Sequence, residues 1–204
     1  MERNGTRRDL RQELLEAAVA GARARGRRGV VLREAARSAG VSATAAYRHF
    51  AGYDELLGAV CLAAGQELYA TMVDEIARSE LSRSRGPALA YARLRGTGRG
   101  YLRFAVTERG LFECLASNPL PPLDAYPPAF LLLSQALDEC VAAGLLQPAD
   151  RAGAEQLCWI AVHGLAMQAL QGILPTQGPD FQVLLERTLD FIGRGLGITV
   201  PPGA

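Results

Sequence analysis

The sequence predicts an all-α fold that carries a helix-turn-helix motif near its N-terminus. Apolar residues recur at three- and four-residue steps through most of the chain, which is the period of a helix with one buried face. In residues 33–50, Gly40 can adopt the left-handed turn after a first short helix, and Ser42 can cap a second. With 49% hydrophobic and 21% charged residues, the composition is that of an ordinary globular protein.

The first helix is expected from Asp9, with Leu10, Leu14 and Ala18 on its apolar face, and it ends in the glycine- and arginine-rich residues 26–29. The motif itself needs a small residue at the helix crossing, which Ala36 supplies. Val41 then fills the angle between the two helices. An ordinary helical hairpin would use the same residues, so this spacing leaves both interpretations open.

The second motif helix is expected to run from Ser42 to about Phe50. It is small and rich in alanine, which favours close approach to a major groove, where Thr44 and Ala45 can offer a methyl or hydroxyl to base edges. At its end, Tyr47, Arg48 and His49 can reach phosphates. The charge distribution agrees with this placement. Residues 1–56 contain 11 Arg and 7 acidic residues, whereas residues 57–204 contain 11 Arg and 14 acidic residues.

Gly40-Val41-Ser42, followed by Tyr47-Arg48-His49-Phe50 and Asp54-Glu55-Leu56-Leu57, resembles the DNA-binding domain of the TetR family of bacterial regulators. Two positions depart from the family pattern. Val31 replaces the usual Ser or Thr cap of the first motif helix, and Tyr53 replaces a usual Lys. Both family residues commonly touch DNA phosphates, so these two backbone contacts are either missing in this protein or replaced by contacts from Arg33 and the Tyr53 hydroxyl. The DNA-binding residues that the motif and the resemblance imply are Arg33, Ser42, Thr44, Ala45, Tyr47, Arg48, His49 and Tyr53.

Further helices are expected in the rest of the chain. Asp54 is expected to cap a long helix that reaches about Ser79, and Pro87 opens the next. Residues 96–100, Gly-Thr-Gly-Arg-Gly, interrupt that helix; they suit a kinked or closely packed helix better than a phosphate cradle, which would need a preceding strand. A proline-rich loop spans residues 118–128, and an apolar cluster is expected from Tyr101, Phe104, Leu111, Phe112 and Leu115. The last helices are expected at residues 129–143 (closed by Gly144), 150–172 (capped by Asp150) and 180–194.

Trp159 and His163 are four residues apart and so share a helix face, which is also typical of a core pair. Trp-x-x-x-His-Gly, together with residues 100–105, is similar to the C-terminal domain of one TetR subgroup. That resemblance implies a ligand-sensing and dimerisation domain at residues 57–204, behind a DNA-binding domain at residues 1–56. The expected effector is a small, mostly apolar molecule oriented by His163 or Tyr101. The expected pocket residues are Tyr101, Phe104, Phe112, Phe130, Trp159 and His163.

The function therefore expected is that of a DNA-binding transcriptional regulator, a repressor released by its effector; the alternative is a helical interaction protein without specific DNA binding. The last two helices are apolar over more than one face, which predicts a two-fold dimer and a near-palindromic operator. The four cysteines are 53, 26 and 18 residues apart, so no metal or redox spacing is present. No metal, cofactor or catalytic activity is expected, and neither is a membrane span. The expected location is the cytoplasm.

Overall fold

A computed structural model describes residues 10–117, 128–176 and 178–201. The expected arm at residues 1–7 and nearly all of the expected proline-rich loop lie outside the described residues. Within the described part of the chain the fold is entirely helical, as predicted. The helices are α1 (Leu10–Arg25), α2 (Leu32–Ser38), α3 (Ala43–Ala46), α4 (Tyr53–Arg78), α5 (Pro87–Thr107), α6 (Arg109–Ala116), α7 (Pro128–Ala142), α8 (Ala154–Leu170) and α9 (Pro179–Gly195).

The chain forms two compact units. The described residues of the first are 10–64 and 108–117, and those of the second are 65–107, 128–176 and 178–201. The division falls within α4, and α6 groups with the N-terminal helices although it lies far from them in sequence. The domain boundary after residue 56 stays a prediction, since compactness alone does not define a functional domain.

Close backbone contacts hold the first unit together. A Cβ on Gly21 of α1 would lie 2.3 Å from the carbonyl oxygen of Gly29, and one on Gly110 of α6 would lie 2.2 Å from that of Ala22. Only glycine allows backbones to approach so closely. Helix α1 therefore packs against the turn before α2 on one side and against α6 on the other, and its Leu14 is fully buried.

Two glycines of α5 make the corresponding contacts in the second unit. A Cβ on Gly96 would lie 2.5 Å from Ile76 Cγ1, and one on Gly100 would lie 2.4 Å from Met72 Cα. Helix α5 runs without a break through this segment, so the expected interruption is absent and the alternative of a closely packed helix is correct. Leu137, Cys140 and Cys158 belong to a buried cluster between α5, α7 and α8.

Two expected helix caps are wrong. Helix α4 begins at Tyr53, so Asp54 lies in the first turn, where the Glu55 carboxylate accepts a hydrogen bond from the Ala51 N–H at 2.7 Å. Helix α8 begins after Gly153, whose φ of 78° no other residue type adopts as readily, and Asp150 instead ends a preceding 3-10 turn.

Helix α4 is long and apolar enough to cross a membrane by length and composition, with a mean hydropathy of 1.4 over 18 residues. The sequence expectation rested on uninterrupted apolar runs and did not identify this segment. Leu56 and Val60 are fully buried, and Met72 lies against Gly100. These contacts are those of a core helix, so the hydropathy is weak evidence for a span.

Candidate nucleic-acid interface and effector site

The turn between α2 and α3 has the geometry that its residues predict. Gly40 has a φ of 70°, and the Val41 N–H donates to the Ala36 carbonyl at 2.9 Å. The Ser42 hydroxyl accepts a hydrogen bond from the Ala45 N–H at 3.2 Å and caps α3. These bonds fix the angle between the two motif helices.

Helix α3 is shorter than expected, because regular helix ends at Ala46 and residues 47–49 form a helical turn. Ala46 and Phe50 are fully buried and anchor this segment, so that the residues between them are presented outward. Thr44, Tyr47 and Arg48 are exposed, with 48% of Tyr47 accessible. Ala45 and His49 are half-buried.

A groove of about 490 Å³ lies beside this segment. Its lining includes the predicted DNA-binding residues Arg33, Tyr47 and Tyr53, and also Arg27 and Arg28. Arg27 and Arg28 were not predicted from the sequence, because the stretch around them was interpreted only as the end of α1. The sequence feature that could have identified them is the pair of adjacent basic residues between two glycines.

Three acidic residues of the first unit, Glu34, Glu55 and Glu108, are paired with arginines. Glu34 bonds to Arg25, which holds the pKa of the Glu34 carboxyl below its usual value, and Glu55 pairs with Arg11 at 3.1 Å. Arg33 and Arg48, by contrast, are exposed and form no ion pair with any described carboxylate. Their charge is thus available to an external anion.

The two departures from the family motif are visible in the structure. Val31 occupies the N-cap position of α2 with no side-chain hydrogen bond, so the first motif helix lacks a side-chain cap. Tyr53 is the first residue of α4 and is exposed.

In the second unit, three predicted pocket residues meet. The Tyr101 hydroxyl of α5 lies 2.8 Å from Nδ1 of His163 on α8, and the rings of His163 and Trp159 are 4.9 Å apart between centroids. We call these three residues the Tyr–Trp–His cluster.

Burial determines the protonation states of Tyr101 and His163. Burial raises the pKa of Tyr101 to about 12 and lowers the pKa of His163, so both side chains are neutral at pH 7. The neutral Tyr101 hydroxyl can donate a hydrogen bond to Nδ1 of the neutral imidazole in the tautomer that carries its proton on Nε2. The cluster is therefore a neutral hydrogen-bonded pair, Tyr101 and His163, beside the Trp159 ring.

The other three predicted pocket residues are placed differently. Phe104 and Phe130 belong to the same unit as the cluster, Phe104 fully buried and Phe130 half-buried. Phe112 lies in the first unit, on α6, and is also buried. The apolar cluster expected from residues 101–115 is thus divided between the two units, because α5 ends at Thr107 and a new helix starts at Arg109.

The second unit exposes large apolar side chains on its last two helices. These are Leu157 and Ile160 on α8 and Val183, Leu184 and Phe191 on α9, with 67% of Phe191 accessible. Helix α9 is held to α5 by ion pairs, since Arg95 and Arg99 both bond to Glu186 and Arg95 also bonds to Asp190. The apolar side chains of α9 are therefore displayed on a helix that is tied to α5.

The side chains of this unit that could act as a nucleophile or a base are poorly placed for catalysis. Burial raises the pKa of the Cys158 thiol to about 12, far above that of a thiol nucleophile at neutral pH. Glu155 is bound by Arg151 and Ser134, and its pKa is lowered. Among the described residues, no three His, Cys, Asp or Glu side chains are grouped so as to hold a metal ion.

A helix-turn-helix head with a basic outer surface and a second helical unit with its own core define a transcriptional regulator of the helix-turn-helix class. Residues 14–60 match the family described as bacterial regulatory proteins, tetR family, and residues 94–192 match the tetracyclin repressor-like, C-terminal domain. The chain belongs to the TetR family of bacterial transcriptional regulators.

Solved structures of similar proteins agree with this fold. A protein of unknown function from Rhodococcus sp. RHA1 is 28% identical, with 96% of this chain and 100% of that chain covered and a TM-score of 0.74. A TetR family transcription regulator from Marinobacter aquaeolei VT8 is 18% identical, with coverage of 93% and 96% and a TM-score of 0.62. AibR, in complex with isovaleryl coenzyme A and operator DNA, is 16% identical, with coverage of 94% and 100% and a TM-score of 0.56. No curated protein sequence matches the chain significantly.

Proposed function

We propose that this regulator is a repressor that binds a near-palindromic DNA operator as a homodimer and is released by a small, mostly apolar effector. The observation that carries the DNA-binding half is the exposure of Thr44, Tyr47 and Arg48 on a segment that Ser42 caps and the buried Ala46 anchors. A helix held in this way can enter a major groove without further folding.

The proposed division of labour at the DNA follows from side-chain chemistry. Thr44 and Ala45 offer a hydroxyl and methyl groups to base edges, whereas Tyr47, Arg48, His49 and Arg33 hold phosphates. Tyr53 adds a hydroxyl from the start of α4, and Ser42 positions the helix through its cap.

The effector site is proposed at the Tyr–Trp–His cluster, with Phe104 and Phe130 as further apolar walls. The cluster offers aromatic faces and a few neutral polar groups, which suits a ligand that is mostly apolar with one hydrogen-bonding group. AibR was solved with both an acyl coenzyme A and operator DNA, which supports a ligand-controlled operator binder as the working hypothesis.

The proposed link between the two sites is α4. In the second unit, Met72 and Ile76 of this helix lie against Gly100 and Gly96 of α5, next to the Tyr101 position. A ligand that favours one placement of α5 would therefore favour one placement of α4, which continues into the first unit. The ligand can change DNA affinity only by binding two such states unequally.

The first test is DNA binding itself. A mobility-shift titration with duplexes selected from a random pool should give a saturable complex that weakens with salt, and Tyr47→Ala should weaken all sequences by a similar factor. Tyr69→Ala is a matched control, because Tyr69 is also exposed but lies in the second unit. Absence of any saturable complex would favour a helical interaction protein, for which the uncapped α2 at Val31 is the structural argument.

The second test uses Trp159, the only tryptophan of the chain. A compound that saturably changes its fluorescence should also shift the DNA-binding curve, by a factor of about 5–150 for a coupling of about 1–3 kcal/mol. Compounds that bind at Trp159 yet leave DNA affinity unchanged across a broad apolar panel would argue against the sensor. We further propose that the protein acts in the cytoplasm and has no catalytic activity.

A further inference from the structure

We propose that Cys61 and Cys114 form a reversible disulfide site in the first unit, which takes oxidants of the peroxide class and weakens DNA binding when it is oxidised. The disulfide itself is independent of the proposed function, and only its effect on DNA affinity rests on that function. The two cysteines are 53 residues apart, so their spacing in the sequence gives no redox motif. The fold alone brings them together.

The side chain of Cys61 is directed at Cys114. Cys61 lies on α4 and Cys114 on α6, and both belong to the first unit. The Cys61 thiol donates a hydrogen bond to the Cys114 carbonyl oxygen, with 3.4 Å between Sγ and O. Because the carbonyl oxygen and the Cα of one residue are about 2.4 Å apart, Cys61 Sγ lies within about 6 Å of the Cys114 Cα. At this range, side-chain rotation and a small helix shift suffice to join two cysteines.

The two thiols differ in their access to solvent. Cys61 is half-buried, whereas Cys114 is fully buried. Burial first, and the nearby Cys61 side chain second, raise the pKa of the Cys114 thiol to about 11, so Cys114 is protonated at neutral pH. An oxidant from solvent therefore meets Cys61 first, and Cys114 completes the bond from the interior.

The oxidation transfers two electrons from the two thiols to one peroxide. The Cys61 sulfur, as a thiolate, attacks one peroxide oxygen; an S–O bond forms, the O–O bond breaks, and water leaves with the former thiol proton. The Cys114 sulfur then attacks the Cys61 sulfur of this sulfenic acid. An S–S bond forms, the S–O bond breaks, and the hydroxyl group leaves as water with the Cys114 proton. The products are one disulfide and two water molecules.

Oxidation must shift α6. The Cys61 S–H is consumed, so the Cys114 carbonyl loses its hydrogen-bond donor, and a covalent bond brings the two sulfur atoms closer than any non-bonded contact. Helix α6 cannot move alone, because Gly110 lies in backbone contact with Ala22 of α1, and α1 makes the same kind of contact with the turn before α2. The shift is therefore passed to the helix-turn-helix, away from the arrangement that binds DNA.

The first measurement follows the thiols. The full-length protein is treated with hydrogen peroxide, quenched with catalase, unfolded and alkylated with iodoacetamide. Without peroxide all four cysteines should be alkylated, and after peroxide only Cys140 and Cys158. Peptide mapping without reductant should find Cys61 joined to Cys114, and dithiothreitol should restore both thiols. Cys140 and Cys158 are the matched control pair, because they share a buried cluster in the second unit that peroxide should not reach.

The second measurement follows DNA affinity with a duplex selected from a random pool. Oxidised wild type should bind about 5–150-fold more weakly than reduced wild type, and dithiothreitol should restore the affinity. Cys61→Ser keeps a donor for the Cys114 carbonyl but cannot form the disulfide, so it should bind like reduced wild type and ignore peroxide. Cys158→Ala leaves the pair intact and should respond like wild type. Circular dichroism melting should show both variants folded.

Contrary outcomes are distinct for the site and for the proposed function. Peroxide-treated wild type in which Cys61 and Cys114 are still alkylated, or in which Cys61 joins two chains, would refute the site while the proposed function stands. A mapped disulfide that leaves DNA affinity unchanged would overturn its regulatory effect. Reduced protein that gives no saturable DNA complex would overturn the proposed function and that effect together, whereas the alkylation measurement decides the disulfide in either case.

Discussion

The contact between α4 and α5 gives a sharp test of the packing, through the substitution Gly100→Ala. The new Cβ would lie 2.4 Å from Met72 Cα and 2.8 Å from Met72 N, whereas ordinary contact begins near 3.4 Å. Both obstacles are backbone atoms, so no side-chain rotation can relieve the overlap. The two helices must separate by about 1 Å, and close-packed cores resist such shifts.

The expected change in the free energy of unfolding for Gly100→Ala combines two opposing effects. Overpacking destabilises by about 1–3 kcal/mol, and replacing glycine by alanine within a helix stabilises by about 1 kcal/mol. The free energy of unfolding should therefore fall by up to about 2 kcal/mol. In a chain of this size that lowers Tm by up to about 8 °C.

Thermal melts at one fixed protein concentration provide the assay, because dimer stability depends on concentration. Gly58→Ala is the matched control: Gly58 is also within α4, is exposed, and has open space where a Cβ would go, so its Tm should rise by about 2 °C. Gly98→Ala should fall between the two, because its Cβ would meet the movable Leu189 Cδ2 at 2.5 Å. A Gly100→Ala protein that melts above wild type would show that α4 and α5 are not in this backbone contact.

Two further predictions concern the second unit. Burial lowers the pKa of His163, so its neutral form contributes stability that is fully present above the unfolded pKa of about 6.5 and is lost as pH falls towards the lower folded pKa. As pH falls through this range, the urea midpoint should therefore decline less steeply in His163→Gln than in wild type. Equal declines in the two proteins would be contrary evidence. Phe191→Glu, on the exposed apolar part of α9, should convert a micromolar dimer into monomers in sedimentation experiments. Leu131→Glu, which replaces another exposed apolar side chain, on α7, should not. A Phe191→Glu dimer would place the interface elsewhere.

The motif residues of the DNA-binding head could be identified from sequence because their roles are local. A left-handed turn needs Gly40 and a helix cap needs Ser42 whatever surrounds them, and the structure has both where they were expected. Trp159 and His163 were paired for the same reason, since four residues make one helical turn. The assignment of these residues to DNA and effector binding stays a prediction.

Other features depended on chain segments that are distant in sequence. The glycines of α5 signalled a break or a close contact, and only the approach of Met72 and Ile76 decided between them. Residues 101–115 looked like one apolar cluster, yet Phe112 is in the first unit, because a periodic pattern shows that a face is buried but not against which partner.

By itself, therefore, the sequence determined the helical class, the helix-turn-helix and the family, since each rests on residues within a few helical turns of one another. The tertiary structure decided which helices share a core and that the Tyr101 hydroxyl meets His163. It also placed Arg27 and Tyr53, which are 26 residues apart in sequence, along the same groove. Such pairings arise from the packing of separate segments, which no local propensity encodes.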